Sequence, residues 1–103
     1  EFLVNFPASR VSGRYGFAEN AYRPPNATDG AEFSIEWIGP NGRSEPLMTR
    51  LLQPVTKAAD RGLQYFEVAL PPGGGRLVLR INSGPNNNQA YDWTYWTDIR
   101  FSN

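Results

Sequence analysis

Apolar and polar residues alternate along most of this chain, in short runs that Gly, Pro and Asn separate. In the segment AEFSIEWI, Phe33, Ile35 and Trp37 fall on one side, while Ser34 and Glu36 fall on the other. Period two is the spacing of a β-strand with one buried face. Apolar runs are at most three residues long, whereas a transmembrane helix needs about 20 apolar residues in succession. The pattern therefore predicts an all-β fold with no membrane insertion.

The same alternation recurs often enough to predict seven or eight short strands. The other predicted strands are QYFEVAL, RLVLRIN and TYWTDIRF, with further strands near residues 2–6, 11–18 and 47–52. GPNGRSEP and PPGGG, which interrupt the alternation, are predicted to be turns, the second a hairpin turn. Only TKAADRG favours a helical turn, which Thr56 could cap and Gly62 could end. An antiparallel, jelly-roll-like β-sandwich of two sheets is the architecture that fits short strands separated by such turns.

Composition limits the chemistry that the chain can perform. Its 103 residues suit a single domain, residues 1–103, and ten basic against ten acidic residues leave no excess charge for nucleic acid. Histidine and cysteine are absent, which excludes imidazole bases, thiol nucleophiles and disulfides. PPGGGR lacks the Lys-Ser/Thr ending of a phosphate-binding loop. We expect a domain without a cofactor.

Carboxylates are the remaining catalytic groups, and Asp92 and Asp98 could form the acid pair that glycoside hydrolysis requires. Short turns, however, offer few long loops to enclose a substrate and to desolvate a carboxylate. The same two aspartates and the asparagines of residues 86–88 also carry oxygen atoms of the kind that calcium accepts, but without the ligand spacing of a calcium loop. We therefore expect neither an enzyme nor a metal site.

The segment YDWTYW, residues 91–96, concentrates four aromatic rings in six positions. If Ile99 and Phe101 face the core, period two places Trp93 and Tyr95 on the core side of the strand. It then places Trp96, Asp98 and Arg100 together on the opposite side. Sugars bind such surfaces, because their C–H faces stack on rings while their hydroxyls bond to carboxylates, amides and guanidiniums. The predicted carbohydrate-binding residues are Trp96, Asp98, Arg100, Tyr91, Asp92, Asn87 and Asn88.

The last forty or so residues resemble a known family. They are similar to the end of galactose-binding-like jelly-roll modules, such as the NPCBM-type domains at the N-terminus of some glycosidases. In that family a strand of the type F-x-V-x-L precedes an L-x-L strand, a Gly/Asn loop and an Asp-Trp-Asp segment. The matching residues here are Phe66, Val68, Leu70, Leu77, Leu79, Asp92, Trp96 and Asp98. The resemblance implies a jelly-roll fold and carbohydrate binding.

These observations predict a non-catalytic module that binds a carbohydrate or glycoconjugate. We expect it to be an accessory domain of a larger extracytoplasmic or membrane-anchored protein, in the periplasm or at the cell surface. An alternative of a different class is a structural β-sandwich that packs against the rest of its parent protein. In that alternative a loop or a neighbouring domain covers Trp96, since exposed aromatic rings also mark protein interfaces.

Overall fold

The computed structural model describes residues 2–4, 8–19, 22–24, 28–83 and 94–103. Its strands are β1 (Phe2–Val4), β2 (Arg10–Phe17), β3 (Ala31–Ile38), β4 (Ser44–Leu52), β5 (Gln64–Ala69), β6 (Gly75–Ser83) and β7 (Thr94–Ser102). They form a four-stranded sheet in the order β1-β6-β3-β4 and a three-stranded sheet in the order β5-β2-β7. Every pairing between them is antiparallel. The predicted all-β fold of two antiparallel sheets is confirmed.

Consecutive strands mostly lie in different sheets, and among the seven described strands only β3 and β4 form a hairpin. In its turn the Gly42 N–H donates to the Gly39 carbonyl at 2.9 Å, and Gly42 adopts a φ of 80° that glycine tolerates best. The prediction that PPGGG forms a second hairpin is wrong. This segment instead carries the chain between sheets, because β5 pairs with β2 while β6 pairs with β1 and β3.

The core lies between the two sheets and is built by the predicted alternation. Phe33, Ile35 and Trp37 of β3 are buried, as predicted, and they face inward toward the three-stranded sheet. The other buried apolar residues are Val4, Val11, Tyr15, Phe17, Ala31, Leu52, Phe66, Leu70 and Leu77. Strands β2 and β3, each with a neighbour on both sides, contribute seven of the twelve buried apolar residues in the described part of the chain.

A 3₁₀ turn at Ala58–Asp60 lies in the connection between β4 and β5. Gly62, at a φ of 78°, follows it as predicted, but the predicted Thr56 cap is wrong. The N-cap residue is Lys57, without a side-chain cap bond, and the Thr56 hydroxyl donates to the Gln53 carbonyl at 3.5 Å. The turn is secured by the buried Asp60 carboxylate, which accepts hydrogen bonds from Arg50 at 3.1 Å and from the Gln53 N–H at 2.8 Å.

Replacement of Asp60 by alanine is expected to lower the free energy of unfolding by about 2 kcal/mol, because two charge-assisted hydrogen bonds of a buried carboxylate are lost. Glu19→Ala is the matched control, since the exposed Glu19 carboxylate forms a surface ion pair with Arg23 and its removal should change stability by less than about 0.5 kcal/mol. Urea denaturation of the two variants measures both values. Equal losses would show that Asp60 does not secure the connection.

The Tyr15 phenol predicts how stability depends on alkaline pH. Burial raises the pKa of Tyr15 above its ordinary value of 10.0, and the nearby Arg50 guanidinium acts in the opposite direction. The folded state therefore holds this proton more tightly than the unfolded state, so its stabilising effect is complete below pH 10.0 and is lost as the pH rises through the folded pKa. The free energy of unfolding, measured across this pH range, should fall more steeply for the native chain than for Tyr15→Phe. The same pH dependence in both proteins would contradict a raised pKa of Tyr15.

Candidate functional site

Trp96 packs inside the sandwich and not on its outer face. Its ring centroid lies 5.4 Å from that of Tyr15 and 5.7 Å from that of Phe66, both on the three-stranded sheet. It also lies 5.6 Å from that of Phe33, on the opposite sheet, in an edge-to-face arrangement. The predicted outward orientation of Trp96 is therefore wrong: this half-buried ring packs against the core and does not lie on the outer face beside Asp98 and Arg100.

A β-bulge in β7 reverses the expected orientation. Ser12 pairs with Arg100 and Arg14 pairs with Thr97, so two residues of β7, Asp98 and Ile99, lie opposite the single Gly13. A bulge of this kind adds one residue to a strand and shifts the alternation after it. Asp98 adopts a φ of 55°, the left-handed conformation that occurs at the first residue of some bulges.

The bulge lets Trp96, Ile99 and Phe101 all pack against the core. Room for Ile99 exists because Gly13 lacks a side chain. A Cβ atom there would lie 2.7 Å from Ile99 Cδ1 and 2.8 Å from Phe66 Cε1. Tyr95 pairs with Gly16 and takes the outward parity, so its predicted place on the core side is also wrong.

Asp98 and Arg100 do face outward, as predicted, and they meet residues from both neighbouring strands. Together they line a depression on the outer face of the three-stranded sheet, of about 240 Å³. We call this surface the outer depression; its lining residues are Ser12, Gly13, Arg14, Tyr65, Asp98 and Arg100. Tyr65 is directly opposite Arg14 across the β2–β5 pairing, and its side chain is among the most exposed large side chains described, at 65%.

The charged groups of the outer depression have no protein partners among the described residues. Arg14, Asp98 and Arg100 form no side-chain hydrogen bond or ion pair within the described part of the chain. At its border Arg10 pairs with Glu67 at 3.7 Å. As far as the described ranges extend, the depression thus presents two guanidiniums and one carboxylate without ion-pair partners and an exposed phenol ring, all of which can contact a polar ligand.

The other predicted site residues, Asn87, Asn88, Tyr91 and Asp92, lie outside the described residues, as does Trp93. Ser12, Arg14 and Tyr65 line the depression but were not predicted from the sequence. The alternation in QYFEVAL does indicate an outward-facing Tyr65, because this residue has the parity opposite to Phe66 and Val68. Within the described ranges no group of three or more His, Cys, Asp or Glu residues is placed to hold a metal ion.

A second concave surface lies at one end of the sandwich, where the β3–β4 turn and the segment preceding β6 approach β1. This end groove has a volume of about 930 Å³. Its lining is mostly apolar side chains and glycines, and includes Leu3, Val4, Ile38, Pro40, Pro72 and Gly74. Leu3 is 65% exposed. Such a surface offers packing area but few groups that could orient a polar ligand.

No family model matches this chain, and no solved structure matches it with statistical significance. It is 33% identical over 79 residues to an uncharacterized protein of Archaeoglobus fulgidus. The matched segment covers 74% of this chain and 20% of the relative, so the chain corresponds to about a fifth of that protein's length. Among the residues that the structure describes, no helix has the length and apolar character needed to cross a membrane.

Proposed function

We propose that this domain is a non-catalytic module that binds a carbohydrate or glycoconjugate in the outer depression. The observation that carries the proposal is the exposed ring of Tyr65 beside Arg14, Asp98 and Arg100. A sugar can lay its C–H face on such a ring, while the carboxylate accepts from its hydroxyls and the guanidiniums donate to them. Two of the residues predicted from sequence, Asp98 and Arg100, keep this role; Tyr65 takes the role expected of Trp96.

The backbone at Asp98 supports a role beyond packing. A non-glycine residue in the left-handed conformation costs about 1–2 kcal/mol, and here that residue lines the outer depression. Such strained positions concentrate at functional sites, and bulges often direct a side chain toward one. Glycine would relieve the strain but would remove the carboxylate. Aspartate adopts this conformation more readily than most residues, and unlike glycine it also supplies a carboxylate to the outer depression.

The contents of the outer depression favour binding over hydrolysis. Glycoside hydrolysis uses two carboxyl groups, roughly 5–10 Å apart, on either side of the scissile bond. Among the described lining residues Asp98 is the one carboxylate, so the pair of carboxyl groups that this reaction uses is not assembled there by the described part of the chain. Binding of extended polysaccharides would suit an extracytoplasmic location, which we include in the proposal.

A glycan array probed with the native chain and three variants tests the proposal. Tyr65→Ala and Arg100→Ala are each expected to lower the affinity for the bound glycan by at least about tenfold. Loss of a central aromatic or arginine contact has an effect of this size at other interfaces. Leu63→Ala is the matched control, because Leu63 is 49% exposed but does not line the depression. Binding that is equal in all four proteins would place the ligand elsewhere.

A second candidate function is an interaction domain that packs against the rest of a larger parent protein. The end groove and the exposed Leu3 favour it, and the relative's much greater length is compatible with such a parent. Apolar side chains at an exposed surface often mark interfaces. Leu3→Asp should then weaken association with the remaining parent chain in a co-purification experiment, while leaving glycan binding unchanged. Tyr65→Ala should have the opposite pattern if the first candidate is correct.

A further inference from the structure

The arginines of this chain differ in how their charges are compensated. Among the described residues, Arg10, Arg23, Arg50 and Arg80 form ion pairs with acidic side chains at 2.6–3.7 Å. Within the described residues Arg14 and Arg100 form no such pair, although both line the outer depression. Asp98 can balance only one of these two positive charges, so the depression retains an excess of positive charge.

The strand register explains how the two guanidiniums come to share one site. Arg14 pairs with Thr97 and Ser12 pairs with Arg100, which makes Arg14 and Arg100 diagonal neighbours on adjacent strands. Diagonal neighbours lie about 7–8 Å apart, within reach of long side chains. Like charges at neighbouring positions on one face of a sheet repel each other and do not stabilise it. A bound anion would relieve that repulsion.

We propose that the outer depression selects acidic saccharides, with the Arg14 and Arg100 guanidiniums binding the carboxylate of a uronic acid unit; this inference rests on the proposed carbohydrate function. A guanidinium presents a planar fork of donors that matches a carboxylate in two parallel hydrogen bonds. The Tyr65 ring supports the sugar ring beside it, and Asp98 accepts from the hydroxyls. Because exposed charges are screened by salt, affinity for the acidic ligand falls as ionic strength rises.

The test compares polysaccharides that differ only in charge. Polygalacturonate and alginate are paired with their carboxyl-reduced forms, and binding of the native chain is measured by affinity electrophoresis and calorimetry at low and high salt. The acidic form is expected to bind at least about tenfold more tightly than its reduced form. Arg14→Gln and Arg100→Gln should each reduce this preference, whereas Tyr65→Ala should weaken both forms. Arg43→Gln is the matched control, since Arg43 is exposed and outside the depression.

The outcomes separate the two proposals. Equal affinity for an acidic polysaccharide and its reduced form, or binding to neutral glycans alone, overturns the acidic preference and leaves the carbohydrate function standing. No binding to any glycan of either charge overturns both. Polyglutamate that competes as well as polygalacturonate would show that the surface recognises charge and not sugar, which also overturns the inference. If Arg43→Gln reduced the preference for the acidic form as much as Arg14→Gln and Arg100→Gln do, the inference would also be overturned, because the effect would then not depend on the outer depression.

Discussion

Trp96→Ala is expected to lower the free energy of unfolding by about 3 kcal/mol, the cost of removing a large aromatic ring from a packed core. The variant would lose the ring that contacts Tyr15 and Phe66 on one sheet and Phe33 on the other. Chemical denaturation of the native chain and the variant measures the difference. An indole on the outer face, as the alternation alone predicts, would be replaced at far smaller cost.

Trp96→Phe is the matched control for this experiment. It retains a ring between the sheets but removes the indole Nε1–H, which is buried and has no hydrogen-bond partner among the described residues. Burial of an unpaired donor costs about 1–3 kcal/mol, so its removal offsets part of the lost contact area. We expect this variant to lose no more than about half as much stability as Trp96→Ala. Unchanged folding in both variants would contradict the core position of Trp96.

Deletion of Asp98 is expected to destabilise the domain more than Trp96→Ala does and to abolish cooperative folding. Without the extra residue, either Trp96 or the pair Ile99 and Phe101 must turn away from the core, because a shift of one residue moves side chains to the other face. All three pack against the core in the native chain. Circular dichroism during thermal unfolding would show the loss of a sharp transition.

Asp98→Gly separates the bulge from the carboxylate. Glycine adopts the φ of 55° without steric cost, so the bulge remains and stability should be unchanged or raised by up to about 1 kcal/mol. Binding of glycans in the outer depression should nevertheless weaken, because the hydroxyl acceptor is lost. A deletion variant that folds as well as Asp98→Gly would show that the bulge does not set the orientation of β7.

The strands themselves could be predicted because burial imposes a local period on the sequence. AEFSIEWI is the clearest case, since β3 has strand neighbours on both sides and its Phe33, Ile35 and Trp37 all enter the core. The prediction of a hairpin at PPGGG is wrong for a different reason. Turn residues show where the chain changes direction but not whether the next strand pairs in the same sheet, which depends on distant partners.

The candidate site was less predictable because one residue changes the parity of β7. The segment TYWTDIRF alternates on either side of Asp98, and nothing in its sequence marks the interruption. The compensating feature, Gly13, lies far away on β2 and indicates a bulge only when the register is known. Tyr65 and Arg14 were missed because they join Asp98 and Arg100 through β2–β5 and β2–β7 pairing, which sequence periodicity does not specify.

Amide chemical shifts of isotope-labelled protein, followed during titration with a glycan that the array identifies, test most directly whether the outer depression binds the ligand. We expect the largest changes at Ser12, Arg14, Tyr65, Asp98 and Arg100, and none at Gly39 or Gly74 of the end groove. The same titration of Tyr65→Ala should give a reduced response at these positions. Changes confined to the end groove, with no response in the depression, would contradict the account.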